Sequence, residues 1–355
     1  YVVKYEDDNK NGSILETYNL NFQNKDKIYL KNQKLITQIN EDKVNQQLVF
    51  EYESVILDIF TGVFLNSSNY YIKKSSLKYP SLVPYTFLSK IGTIDNSFLR
   101  SQKYFFLTST NSAYYHQWFD GLIYLYFLSK TEEKYLVIVP NSCPDKIKDL
   151  LLNFKNELEI KYVSERFINI PKIIRFPHIS WAKHAPIITE DIAYFFKSKI
   201  LKNKPDIKTY RKIYIGRKKS ATRNIKNNNE ITCLFKDNNF EIVYLEKYSI
   251  QEQAYLFNNA KEIAGLHGAG FTNLIFCEAG TKIIELQNLV NVTTYFMISQ
   301  QLDLDYYYIL PNEFDFEKIK DPYKEDVSFL KQKLSDTSYD LKKINLALNK
   351  INNDQ

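Results

Sequence analysis

Apolar and polar positions alternate along this chain in two textures. Up to about residue 100 the apolar runs are short and broken by polar turns. Ser54-Val55-Ile56-Leu57-Asp58-Ile59-Phe60, Gly62-Val63-Phe64-Leu65 and Tyr70-Tyr71-Ile72 are examples, and they read as strands. Beyond that point the runs lengthen. Residues 113–129 carry apolar side chains on most faces of a predicted helix, and Tyr135-Leu136-Val137-Ile138-Val139 is a buried strand. Pro144 opens a helix to about residue 157, a position where its missing N–H costs nothing. Residues 160–163 and 173–176 are further strands. Regular alternation of strand and helix predicts a parallel α/β sheet.

A polar stretch at 201–210 interrupts the pattern, and a second alternating series follows it. Strands are expected at 212–215, 240–245, 262–265 and 282–286, with helices at 228–236 and 249–260. Ser249, with Glu252 three residues on, forms a capping box at the start of the second helix. The expected organisation is a first domain over 1–204, whose residues 1–95 are strand-rich and divergent. A doubly wound second domain spans 205–321, and amphipathic helices over 322–355 pack back on the first domain.

Ligands in doubly wound sheets bind beyond the carboxyl ends of the strands. Three segments of the second domain are expected there: Gly216-Arg217, His267-Gly268-Ala269-Gly270 and Glu285. The glycine-rich one, Ala264-Gly265-Leu266-His267-Gly268-Ala269-Gly270-Phe271-Thr272-Asn273, reads as strand, tight turn and helix. Such a turn aims backbone N–H groups and a helix N-terminus at one point, which suits an anion. Thr272 and Asn273 add side-chain donors, and His267 either donates to a phosphate or braces the loop. Arg217 and Arg223 have the chemistry to clamp a diphosphate, because guanidinium pairs bidentately with phosphate oxygens; an exposed basic turn is the alternative. Glu285 is placed to accept both hydroxyls of a ribose or to stand solvated at a strand end. The pattern is not G-x-G-x-x-G, which disfavours hydride transfer.

In the first domain, Tyr114-Tyr115-His116-Gln117-Trp118-Phe119-Asp120 places His116 and Asp120 on one helix face. On an apolar, aromatic helix such a pair is costly to bury unless it pairs or works, and either member has the chemistry to take a proton from a hydroxyl. Asp303-Leu304-Asp305 has the D-x-D spacing some sugar transferases use for a divalent cation, but it precedes an apolar run and reads as a polar connection. No other cluster of ligand type points to a metal.

Composition narrows the classes. The 355 residues are 44% hydrophobic, enough to fill two cores. Lys and Arg number 47 against 41 Asp and Glu, a net +6 with the basic residues scattered, so a solvated surface is expected and no nucleic-acid groove. Cys143, Cys233 and Cys277 are too far apart for metal spacing, which suits a reducing compartment. A location in the cytoplasm or at the cytoplasmic face of a membrane is expected. No apolar stretch approaches a bilayer span, and a trimmed N-terminus leaves room for an anchor and for peripheral membrane association.

Taken together, these segments resemble glycosyltransferase family 61. The family's Y-x-H-W-x-x-[DE] helix is similar to residues 114–120, with Gln117 inserted between His and Trp. Its paired-arginine segment resembles Gly216-Arg217, Arg223, Asn227, Asn228 and Glu230, and S-x-x-E-Q resembles residues 249–253. Its long G-x-H-G-A-G-x-T-N motif, through to E-L, is similar to residues 265–286, with Ala279 where Pro is usual. The resemblance implies an α/β, GT-B type enzyme with two Rossmann-like doubly wound domains facing a cleft. It implies an inverting glycosyltransferase that needs no metal or other cofactor. The partners it implies are a nucleotide sugar, with UDP-GlcNAc or UDP-xylose as examples, and a glycan or glycoconjugate acceptor. On this reading Asp120, with His116, supplies the base; Arg217, Arg223, the turn from His267 through Gly268, Ala269, Gly270, Thr272 and Asn273, and Glu285 hold the donor. A carbohydrate-binding protein on a degenerate transferase fold and a nucleotide-sugar epimerase are the competing readings.

Overall fold

The computed structural model of the chain describes residues 5–6, 12–18, 47–60, 62–65, 71–72, 103–131, 134–175, 188–217, 224–288, 294–313 and 336–353. These residues form two compact units, which divide between Ile179 and Ser180. Each unit is built on its own sheet.

The strands of the first unit are β1 (Tyr5–Glu6), β2 (Gly12–Tyr18), β3 (Gln47–Asp58), β4 (Val63–Leu65), β5 (Tyr71–Ile72), β6 (Lys103–Phe106), β7 (Tyr135–Pro140), β8 (Glu159–Val163) and β9 (Phe167–Arg175). Their order in the sheet is β1-β5-β4-β3-β9-β6-β7-β8, with β2 paired to β3. One part is what the alternation predicts: β6, β7 and β8 run parallel, with Phe105, Val137 and Ile160 in register. The other part differs, because β3 pairs antiparallel with β2, β4 and β9. The unit is therefore a mixed sheet, not a purely doubly wound one. Only four residues separate the end of β3 from the start of β4, with Gly62 at φ 70°, and so short a connection leaves no room for the crossover that parallel neighbours need. Val55, Leu57, Tyr104, Phe106, Leu136, Ile138, Ile168 and Ile170 fill the core on these strands.

The second unit holds β10 (Lys212–Ile215), β11 (Asn224–Ile225), β12 (Glu241–Val243), β13 (Glu262–Leu266), β14 (Lys282–Leu286), β15 (Asp305–Ile309) and β16 (Asp336–Thr337). Five of them form a sheet in the order β12-β10-β13-β14-β15, and every pair in it is parallel. After β10 the chain goes to β12 on one side and then crosses to β13 on the other. The strand order therefore reverses at β10, between its neighbours β12 and β13. That is the switch point where open α/β sheets bind ligands.

Two helices complete the second unit. Residues 190–200, included in the expected first domain, form a helix, Glu190–Ile200, that falls in the second unit. Lys197 Nζ donates to the Cys277 carbonyl at 2.6 Å and to Glu278 Oε1 at 3.1 Å, while the Gln251 amide and the Tyr255 hydroxyl donate to the Ile200 and Leu201 carbonyls. The Leu341–Asn353 helix helps close the second unit's own core. Ile344, Leu348 and Ile351 are spaced to share one face, and they bury against Tyr214, Phe235 and Ile284. Residues 322–335 of the segment expected to be helical lie outside the described residues.

The Lys197–Glu278 contact has a pH signature. Burial pushes the Glu278 carboxyl up, but hydrogen bonds from Lys197 and Asn258 and the nearby Lys261 charge outweigh it and hold it below 4.5. A carboxyl lowered by folding adds stability above its unfolded value and loses it as pH falls through its folded value. Below pH 4.5, the melting temperature of the wild type should therefore fall faster than that of Glu278→Gln. Parallel melting curves for the two proteins would remove this contact from the acid response.

Candidate functional site

The chemistry-bearing residues gather at two places, one in each unit. In the second unit the first element is the exit from β10. Gly216 is packed so closely that a Cβ there would lie 2.9 Å from Ile242 Cγ2 and 3.0 Å from the Tyr244 ring. Arg217 follows it and is exposed. Its Nη1 lies 3.7 Å from the point a Cβ on Gly268 would occupy, so the guanidinium and the glycine turn are neighbours across the switch point. Arg223 lies outside the described residues.

The turn itself runs from β13 through His267 and an extended Gly268 into a 3-10 helix, Ala269–Phe276. The strand–turn–helix expectation holds, with the tighter winding as the difference. Phe271 N donates to the Gly268 carbonyl at 3.1 Å. The N–H groups of Ala269 and Gly270 open the helix and have no acceptor within it, which is the physical basis of an anion site. Gly270 is fixed by packing, since a Cβ there would sit 2.8 Å from Leu245 Cδ1.

Thr272 and Asn273 do not reach the surface of this turn. Both are fully buried, and the Asn273 amide donates to Gln253 Oε1 at 2.9 Å and to the Gly270 carbonyl at 3.2 Å. Gln253 in turn donates to the Leu245 and Tyr248 carbonyls. Asn273 therefore braces the turn from beneath, while the Thr272 hydroxyl is buried with no hydrogen-bond partner among the described residues. Their apolar neighbours Phe271, Leu274, Ile275 and Phe276 pull this face of the helix into the core.

Glu285 is also inside, at 1% exposure. Its Oε1 is paired with His267 Nδ1, and its Oε2 accepts from the Tyr306 hydroxyl. Gly265 stands directly opposite Glu285 and brings no side chain, so His267, two residues on, leans diagonally over the carboxylate. Tyr306, which pairs with Ile283, is the diagonal neighbour on the other side. Sequence reasoning missed Tyr306. Nothing in the run Tyr306-Tyr307-Tyr308 marks one tyrosine from the next; the register sets Tyr308 directly opposite Glu285, and only the folded hydroxyl–carboxylate contact selects Tyr306. Asp303 and Asp305 stand at the entry to β15, the opposite end of the sheet from the turn.

In the first unit, the chain leaves β6 and enters a short helix, Tyr114–Gln117, a π-helical turn, Trp118–Leu122, and a further helix, Tyr124–Ser129. The Ile123 N–H reaches back five residues to the Trp118 carbonyl at 2.9 Å. Such turns are rare and frequently sit at functional sites. The strand exit sets its position: Thr108 Oγ1 donates to the Asp120 carbonyl, and a Cβ on Gly121 would lie 2.5 Å from the Thr108 carbonyl oxygen. Ser109 in the same exit is held at φ 60°. Gln117 ties the loop down by donating to the Thr110 and Ser112 carbonyls, both at 3.0 Å.

This frame joins His116 and Asp120 as their spacing predicts. His116 Nδ1 and Asp120 Oδ2 are 2.7 Å apart; the Asp side chain is 2% exposed and the His side chain 40%. An ionised carboxylate only accepts, so Nδ1 is the donor, and Nε2 has no partner among the described residues. Tyr115 packs edge-on to both His116 and Phe119. Gly121→Ala should lower unfolding stability by about 1–3 kcal/mol, because the π turn must move off the Thr108 carbonyl. Urea unfolding measures this, and wild-type stability would show that the contact yields freely.

No curated protein matches the chain. The profile of one family, Glycosyltransferase 61, matches residues 114–284. The match begins on the His116 helix and ends beside Glu285, so it runs through both groups of residues; this part of the chain is similar to the glycosyltransferase 61 domain, which supports a glycosyltransferase enzyme.

Proposed function

We propose that the protein moves a sugar from a uridine diphosphate donor, UDP-GlcNAc or UDP-xylose being examples, to a hydroxyl of a glycan or glycoconjugate with inversion at the anomeric carbon. The reading is carried by Arg217 standing against the glycine turn at the switch point of the parallel sheet. That arrangement joins a bidentate cation to free N–H groups at a helix start, which is the chemistry a diphosphate needs.

The step is a single displacement. His116 Nε2 takes the proton of the acceptor hydroxyl, and the acceptor oxygen forms its bond to C1. The bond from C1 to the β-phosphate oxygen breaks, and UDP leaves with the electron pair. Asp120 holds Nδ1, so His116 stays in the tautomer whose Nε2 lone pair is available. Arg217 and the N–H groups of the turn stabilise the charge that grows on the leaving diphosphate. In this scheme the enzyme is of the GT-B type, with acceptor chemistry on the first unit and donor chemistry on the second, and the cations of the donor site do the work a metal ion does elsewhere.

A thermal-shift panel tests the donor assignment. UDP should raise the melting temperature more than ADP, GDP or CMP, and the effect should persist in EDTA. A panel in which no nucleoside diphosphate stabilises the protein would overturn the reading.

A further inference from the structure

The buried trio on the donor unit has work that a ribose contact does not account for. We propose that Glu285 is a positioning residue: gripped by Tyr306, it holds Nδ1 of His267 and leaves Nε2 as the ring nitrogen offered to the leaving diphosphate. The inference rests on the donor-site reading above and deepens it.

Three observations carry it. Both oxygens of Glu285 are engaged inside the protein, one by His267 and one by Tyr306, and the side chain is 1% exposed. A carboxylate so enclosed has no face left for sugar hydroxyls. The second observation is the ring's orientation. His267 packs against Tyr295 with ring centroids 5.2 Å apart, Tyr295 packs against Phe271 at 5.4 Å, and Nε2 makes no hydrogen bond among the described residues. Plane and tautomer are thus both set, and one nitrogen is spare. The third is location. His267 is joined directly to Gly268, which Arg217 flanks, so the spare nitrogen belongs to the residue that opens the anion-binding turn.

The Tyr306 hydroxyl stays protonated, because burial and the Glu285 charge push its pKa well up, so it donates and does not compete for the histidine. When a diphosphate is bound, the imidazolium form of His267 donates Nε2–H to a phosphate oxygen, and Glu285 balances the ring's charge. Arg217 is the second cation beside that oxygen. A carboxylate that fixes a histidine in this way acts on the ligand only through the ring.

The experiment has a ligand-free arm and a binding arm. The chain has four histidines, so protein carrying 15N-histidine gives four imidazole patterns, with that of His267 identified by its absence in His267→Asn. In the wild type the neutral His267 ring should be protonated at Nδ1. In Glu285→Gln that preference should be lost, and Tyr306→Phe, which keeps the carboxylate, should weaken it. Calorimetry then compares UDP with uridine, which has the ribose and no phosphate. Glu285→Gln should cut UDP affinity on the order of 10- to 100-fold, as His267→Asn does, the loss expected for a charge-assisted hydrogen bond. Uridine affinity should stay within about twofold, and the double variant should bind UDP no more weakly than His267→Asn alone. An Nε2-protonated neutral ring in the wild type would overturn the proposal. Equal losses for uridine and UDP in Glu285→Gln would also overturn it, in favour of a ribose contact. Wild-type protein that binds no UDP would instead sink the donor-site reading and with it the diphosphate role. The tautomer would then decide by itself whether Glu285 holds the ring.

Discussion

His116→Ala is expected to lower kcat by roughly 10²- to 10⁴-fold, the range for removing a general base, while UDP affinity is retained. The residue is 40% exposed and contributes no core packing, so its loss should leave the fold intact. Asp120→Asn should cost a similar factor by a different route. The buried amide can donate to Nδ1, which would favour the tautomer whose Nε2 carries the proton and has no lone pair to offer; a change of this kind costs about 10⁴-fold in serine proteases. The two effects should not add, because both remove one function. Single-turnover transfer, measured beside donor binding, separates the step from affinity. A His116→Ala enzyme that keeps more than about a tenth of wild-type kcat would move the base elsewhere. The exposed ring and enclosed carboxylate also order the pair. The histidine meets the acceptor, and the aspartate acts through it.

Arg217→Ala should remove the thermal shift produced by UDP and lower kcat/KM by roughly 10²- to 10³-fold, the range for deleting one preorganised donor that meets growing charge. Arg217→Lys should recover little of this. A lysine carries the charge as a point and cannot span two phosphate oxygens in a planar fork. The side chain is exposed at the end of β10, so the ligand-free melting temperature should not change. That separates a lost ligand contact from a lost fold. A variant that UDP stabilises as much as the wild type would take Arg217 out of the donor site.

These expectations draw on two kinds of information. Features set by short spacing were legible in the chain. The strands at 212–215, 262–266 and 282–286 follow from apolar runs bounded by turn residues. Ser249 and Glu252 form the capping box their separation predicts. His116 and Asp120 meet because residues four apart on a helix face one another, and the π turn between them does not break that geometry. Even the glycine turn is local, since Gly268 and Gly270 sit where a strand must pass into a helix at close quarters.

What lay beyond reach depended on which strand stands beside which. Glu285 looks like a strand-end carboxylate until β13 and β15 flank it and supply His267 and Tyr306. Thr272 and Asn273 look like ligand donors until Gln253, on a helix 20 residues earlier, takes the amide inward. The Glu190–Ile200 and Leu341–Asn353 helices carry apolar faces that would suit either sheet, and only the contacts of Lys197, Ile344 and Ile351 assign them. The sequence by itself determined the elements, the strand-end chemistry and the histidine–aspartate pair, because periodicity and near-neighbour spacing act within one or two turns of chain. The tertiary structure decided which polar groups face a ligand and which brace those that do, because burial and parallel register are properties of segments that meet only after folding.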